Sequence, residues 1–154
     1  MGRRRSAPLL IAASGELAVL RDPLRAGGRL LRQEGMDACY VDLADPRHLE
    51  FDYLRWLRAL VRAAGARRVV HVGGAGCALA RALATEHPDH RQEVIERDAA
   101  VVEVAREHLG LRRAPGLGAS FDPWRRLSGP TTGPPSVCAN PNGGVAAVVR
   151  GEEG

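Results

Sequence analysis

Three glycines, Gly73, Gly74 and Gly76, lie in "RRVVHVGGAGCALARAL" (67–83), between an apolar run and a helical-looking stretch. At a strand-to-helix turn, glycines open backbone angles closed to other residues and remove the Cβ atoms that would hold a ligand away. Glu96 follows 20 residues after Gly76, at the end of "QEVIE". An acidic side chain at that place accepts hydrogen bonds from the hydroxyls of an adenosine ribose, whether the ligand is NAD or an S-adenosyl compound. A dinucleotide turn also needs a small residue at the last position of Gly-x-Gly-x-x-Gly. Counted from Gly74 and Gly76, that position holds Leu79. The pair of signals therefore points to a nucleoside and away from a pyrophosphate. The alternative is that the glycines only permit tight helix–sheet packing while Glu96 is a solvated strand end.

Other chemistry-bearing residues carry a bland reading beside the sharp one. "DLADPRHLEFD" gathers Asp42, Asp45, Glu50 and Asp52, which would attract a cationic amine. The same acids also suit the N-terminal end of a helix and its dipole. His87 and His90 lack a nearby third ligand, so they read as a solvated loop and not a metal site. His71 sits in the apolar strand and reads as a hydrogen-bonded core residue. Cys77, beside the glycines, is either a thiolate of lowered pKa near a helix N-terminus or a small residue filling the turn. No Ser-His-Asp order or paired-carboxylate spacing stands out.

The elements that must position these residues form a recognisable series. Short runs in "GELAVLRD", "GRLLRQEG" and "ACYVDLAD", punctuated by Asp22-Pro23, Gly27-Gly28 and Gly35, predict a small antiparallel meander over 15–44. Asp45 as N-cap and Pro46 at the first helical position predict a helix stopped by Gly65, with Leu49, Tyr53, Leu57, Leu60 and Val61 on one face. A strand over 69–72, a helix over 78–86, a strand over 92–96 and a helix closed by Gly110 follow. In that last helix Val101, Val102, Ala105 and Leu109 face inwards. This is the opening of a doubly wound α/β sheet, so 45–113 reads as a partial Rossmann-like domain. Residues 1–14 read as a basic N-terminal segment. The Pro/Gly-rich stretch 114–154 reads as a disordered tail, with "VAAVV" at 145–149 as its one periodic run.

Composition narrows the function classes. The 154 residues suit one domain, and a 45% hydrophobic share suits a soluble globular chain with an Ala, Leu and Val core. The net charge of +4 comes from 22 basic residues that are all Arg and mostly scattered, which does not describe a nucleic-acid face. Cys39, Cys77 and Cys138 lie far apart without metal spacing, as in a reducing compartment. No stretch approaches the length of a membrane span, so the expectation is a cytoplasmic protein without membrane or nucleic-acid partners.

Taken together, "VVHVGGAGCALARAL", "VIERDAAVVEVAREHL" and "YVDLADPRHLEFDYLRWL" resemble the spermidine synthase (polyamine aminopropyltransferase) family over residues 15 to 117. The likeness is to its bacterial spermidine synthase-like members, which have the class I methyltransferase fold. The resemblance implies S-adenosylmethionine or its decarboxylated form as co-substrate, no metal, and a polyamine as acceptor. It carries the ribose-binding acid onto Glu96 and the adenosyl loop onto Gly73, Gly74 and Gly76. The substrate side falls on Tyr53, Glu50 and Asp42, and a homo-oligomer would form through the meander. The family's loop Asp is replaced at Gly76, its meander-end Gln by Ala38, and the His-Glu after its helix tyrosine by Leu54-Arg55. Its catalytic Asp after a fourth strand has no counterpart, so no catalytic residue is assigned. The expectation is a truncated synthase-like fragment with impaired aminopropyl transfer. The alternatives are a non-catalytic nucleotide-binding or interaction module, a methyltransferase-like protein acting on another substrate, or a fragment that never folds stably.

Overall fold

The computed structural model describes residues 9–74, 76–113, 117–118, 136–139 and 146–150. Four strands, β1 (Leu9–Ser14), β2 (Leu17–Arg21), β3 (Gly28–Gln33) and β4 (Met36–Asp42), pair in sequence order as an antiparallel sheet. The meander is therefore one strand longer than expected. β1 lies inside the stretch read as a basic N-terminal segment, because "LLIAAS" shows no alternation from sequence alone. Register places Val19 opposite Leu31 and Leu31 opposite Cys39. With Leu17 and Val41 these residues form one buried face, the period-2 consequence of a pleated sheet with one side covered.

α1 runs Asp52–Ala63, six residues later than Asp45-Pro46 would start it. The reason is local. Asp42 Oδ1 accepts the amides of Ala44 (2.8 Å) and Asp45 (3.3 Å), and Asp45 itself accepts the amides of Arg47 and His48. These bonds hold the chain in turns, and Phe51 becomes an N-cap without a side-chain bond. The buried stripe is Leu54, Leu57 and Val61. Leu49 is buried ahead of the helix, and Leu60 is exposed, a shift of the face that follows from the later start. Ala64 caps the helix and Gly65 follows at φ +62°, in its expected place.

The second sheet has the order β7-β6-β5-β9-β8. β5 (Arg68–Val72), β6 (Arg91–Ile95) and the short β7 (Leu117–Gly118) are parallel. α2 (Ala78–Glu86) and α3 (Ala99–His108) connect them as the α/β pattern requires. Asp98 caps α3 by accepting the Ala100 amide, and Leu109 and Val101 are fully buried beneath it. The sequence expectation made 114–154 a disordered tail. Instead β9 (Ala146–Arg150) lies antiparallel against β5, and β8 (Ser136–Ala139) lies antiparallel against β9. An exposed edge of unpaired amides is a template for any strand-forming run, and "AAVVR" is such a run. The remainder of that expected tail, 119–135, 140–145 and 151–154, lies outside the described residues.

Candidate functional site

The site begins where two parallel strands end together. Val72 pairs with Ile95, and the Gly73 amide donates to the Ile95 carbonyl at 2.8 Å. Gly73 and Glu96 therefore leave neighbouring strands side by side at their carboxyl ends, the edge on which open α/β sheets bind ligands. Glu96 is half-buried, and its Oε1 accepts the Asp98 amide at 3.0 Å. That bond holds the carboxylate at the mouth of the β6–α3 turn.

The glycines serve two masters. Gly73 has φ +73°, a left-handed angle that favours glycine. A Cβ on Gly74 would run into Val94 of β6. A Cβ on Gly76 would lie 2.7 Å from Cys39 Sγ, 3.1 Å from Leu109 and 3.3 Å from Val41. Gly76 is thus the point where the buried face of the meander meets the start of α2, and the space a side chain would fill belongs to the protein. Packing explains Gly76 fully and Gly74 in part. Gly73 remains the glycine with a conformational demand of its own.

Cys77 is the N-cap of α2, at φ +60° and with no side-chain capping bond. Burial first, then the nearby Cys39 and Glu96, push its thiol up to about 12, although Arg81 pulls the other way. Of its two readings, the small residue filling the turn is the one the structure favours; a thiol in this setting is not an activated nucleophile.

A small cleft of about 20 Å³, partly open to solvent, lies beside this turn. Its wall includes Ala38, Tyr53 and Leu54 on one side and His71, Gly74 and Cys77 on the other. The structure thus brings Tyr53 to the glycine turn. Tyr53 stacks on Phe51 with ring centroids 5.8 Å apart, and burial raises its phenol above the ordinary range. His71, at the floor, is 2% exposed and bonds Gln92 Oε1 through Nε2 at 2.9 Å. Burial lowers its pKa to about 4 against the opposing Gln92 bond, so it is a neutral core histidine, as its strand position suggests.

The acidic stretch is arranged differently. Asp42 is buried, and its Oδ2 takes Arg25 Nε at 2.8 Å and Nη2 at 2.6 Å while Oδ1 takes the two turn amides. Burial alone would raise its pKa, but those amides and Arg25 outweigh it and hold the carboxyl below the usual range. Glu50 is exposed and pairs with His48 at 2.9 Å. Neither Asp42, Glu50 nor Glu96 lines the cleft. Among the described residues no cluster of His, Cys, Asp and Glu could hold a metal ion, and no helix is long and apolar enough to cross a membrane.

No protein-family model matches the chain, and no curated protein matches it in sequence. Among solved structures it matches a crystal structure described as a probable spermidine synthase from Corynebacterium glutamicum, at 30% identity and a TM-score of 0.58. The fold is spermidine synthase-like. The match covers 72% of this chain but 43% of that one, so the chain spans less than half the length of the synthase it resembles. Within this synthase-like fold, Ala38 and Leu54, two of the positions where the sequence departs from the family pattern, both line the cleft beside Tyr53.

One charged residue of the synthase-like fold escaped the sequence reading. Arg81 of α2 is 6% exposed, and its Nε and Nη2 find no hydrogen-bond partner among the described residues. The available signal was compositional: Arg81 interrupts "ALARALA", a helix segment otherwise made of Ala and Leu. Every residue from Ala78 to Ala84 is buried, so a single arginine in that run had to go inside.

Proposed function

We propose that the chain binds the adenosyl nucleoside of S-adenosylmethionine or decarboxylated S-adenosylmethionine at the carboxyl ends of β5 and β6. The observation that carries this reading is the register that sets Gly73 beside Glu96, next to a cleft walled by Gly74 and Tyr53. Glu96 would accept hydrogen bonds from the ribose hydroxyls, and the backbone at Gly73 and Gly74 would let the nucleoside approach the strand ends. Gly76 is not assigned a ligand contact, since its missing side chain makes room for Cys39, Val41 and Leu109. The likeness to a probable spermidine synthase supports the same ligand class.

Aminopropyl transfer to a polyamine is the activity this likeness suggests, and we propose that it is impaired here. Holding an amine for in-line attack needs carboxylates with uncommitted lone pairs, and orientation is worth about 7–11 kcal/mol only when both reactants are held. Asp42 gives its oxygens to Arg25 and the turn amides, and Glu50 pairs with His48. Calorimetry with both S-adenosyl compounds tests the site. Binding should be measurable and should weaken by about 1–3 kcal/mol in Glu96→Ala, for lost charge-assisted hydrogen bonds. Equal binding by both proteins would remove Glu96 from the site. Methylthioadenosine release in the presence of putrescine should stay at background; robust release would overturn the impaired reading. Self-association through the meander, with the exposed apolar edge strand β1 against a second copy, belongs to the same proposal and is read by sedimentation.

A further inference from the structure

A row of cations lies at the other end of the strands that carry Gly73 and Glu96. β5 opens with Arg68, and the register sets Arg91 of β6 beside it on one side and Arg150 of β9 opposite it on the other. Three neighbouring strands therefore carry arginine in one row, although 68, 91 and 150 are far apart in the sequence. Like charges in register across strands destabilise a sheet, so such a row needs an offsetting negative charge.

Among the described residues the chain does not supply one. Arg67, next to the row, is paired with Asp89 at 2.9 Å, as Arg106 of α3 is with Glu103. Arg68 and Arg91 are exposed, and neither side chain makes a hydrogen bond or ion pair with a described residue. Between them lies a small pocket of about 20 Å³, partly open to solvent and walled by Arg68, Val69, Val70, Arg91 and Glu93. Glu93 shares this wall, two residues beyond Arg91, yet pairs with neither arginine.

We infer that the amino ends of β5 and β6 bind the phosphate group of a small anion, held between the guanidinium groups of Arg68 and Arg91. Guanidinium forks take phosphate oxygens in pairs of parallel hydrogen bonds, and they are more weakly hydrated than ammonium groups. The row spans two strand spacings, about 10 Å, which suits one or two phosphate groups and is short for a nucleic-acid backbone. This pocket is separate from the cleft beside Gly74: Arg68 and Val72 are the first and last residues of β5, about 13 Å apart. Binding here needs no nucleoside at the carboxyl ends. Glu93 opposes an anion in the same pocket, so it limits the affinity.

Calorimetry of the full chain with sodium phosphate, at an ionic strength held constant with sodium chloride, should show saturable binding. Arg68→Gln and Arg91→Gln should each weaken it by about tenfold or more, for a lost charge-assisted contact. Glu93→Gln should tighten it, while Arg32→Gln in the meander, where Arg32 pairs with Asp37, should leave it unchanged. Thermal melts follow the same variants. Without phosphate the Arg68 and Arg91 variants should melt no lower than the wild type, because a like-charge contact is relieved. Phosphate should raise the melting temperature of the wild type and not of these two variants. Pyrophosphate binding more tightly than phosphate assigns a diphosphate, and equal binding a single phosphate. The inference is overturned by an absence of saturable phosphate binding, or by binding unchanged in both arginine variants. It is equally overturned if those variants melt lower without phosphate, which would reveal a partner within the chain, or if a single-stranded oligonucleotide binds the two arginines more tightly than either anion.

Discussion

The turn after β4 and the turn after β5 both bury charge, and they resolve it in opposite ways. At the first, Asp42 receives Arg25 and two backbone amides, and Tyr40 donates to Asp22 at 2.6 Å. Close approach is built in, since a Cβ on Gly27 would run into Asp42 and one on Gly28 into Tyr40. At the second, Arg81 is left with two unpaired nitrogens beside neutral thiols, and His71 is held uncharged at the floor of a cleft. Buried polar groups whose bonds are all made inside the chain stabilise a fold and leave little for a ligand. Groups left unsatisfied cost stability, and they mark where chemistry from outside can enter.

The largest difference between the two turns should appear with pH. The folded state keeps His71 neutral down to about 4, while an unfolded chain takes up a proton on it below about 6.5. Its contribution to stability is therefore complete above about 6.5 and falls away between there and 4, by about 3 kcal/mol at 1.4 kcal/mol per pH unit. Asp42, held below its ordinary pKa, contributes above about 3.9 and loses that contribution only at more acid pH. Urea midpoints measured across this range should thus show two windows. His71→Asn should flatten the upper one alone, and a profile unchanged by that substitution would mean His71 is solvated.

A substitution at the packing contact should cost somewhat less. Gly76→Ala forces a methyl against Cys39 and Leu109, and overpacking of this kind costs about 1–3 kcal/mol. A fully stable Gly76→Ala protein would return Gly76 to the list of residues that face a ligand. Asp42→Asn keeps an oxygen for the turn amides and loses the charge on the Arg25 pair. Arg25 is 39% exposed, so the expected cost is about 1 kcal/mol, read from denaturant melts in low and high salt. The smallest change belongs to Arg81→Met in the reduced protein. Trading an unpaired buried cation for an apolar side chain of similar length should leave stability level or raise it by about 1 kcal/mol. A loss of more than that would reveal a partner for Arg81.

Residues close in sequence were enough to settle several parts of this protein. α2 at 78–86, the Asp98-capped α3 with Val101, Val102, Ala105 and Leu109 inside, and the strand ends carrying Gly73 and Glu96 follow from local periodicity and turn chemistry. So does the neutral, hydrogen-bonded state of His71, since a histidine within "VVHV" has nowhere to go but the core. What only the tertiary structure decided depends on partners distant along the chain. Asp42 finds Arg25, 17 residues away in the chain, and Asp45-Pro46 looked like a helix start until Asp42 claimed the turn amides. The empty side of Gly76 is met by Cys39 and Leu109, both distant from it along the chain. Periodicity reports which way a side chain faces; it carries no information about which distant group meets it there. Whether a buried charge is paired or left open is therefore settled only when the chain has folded.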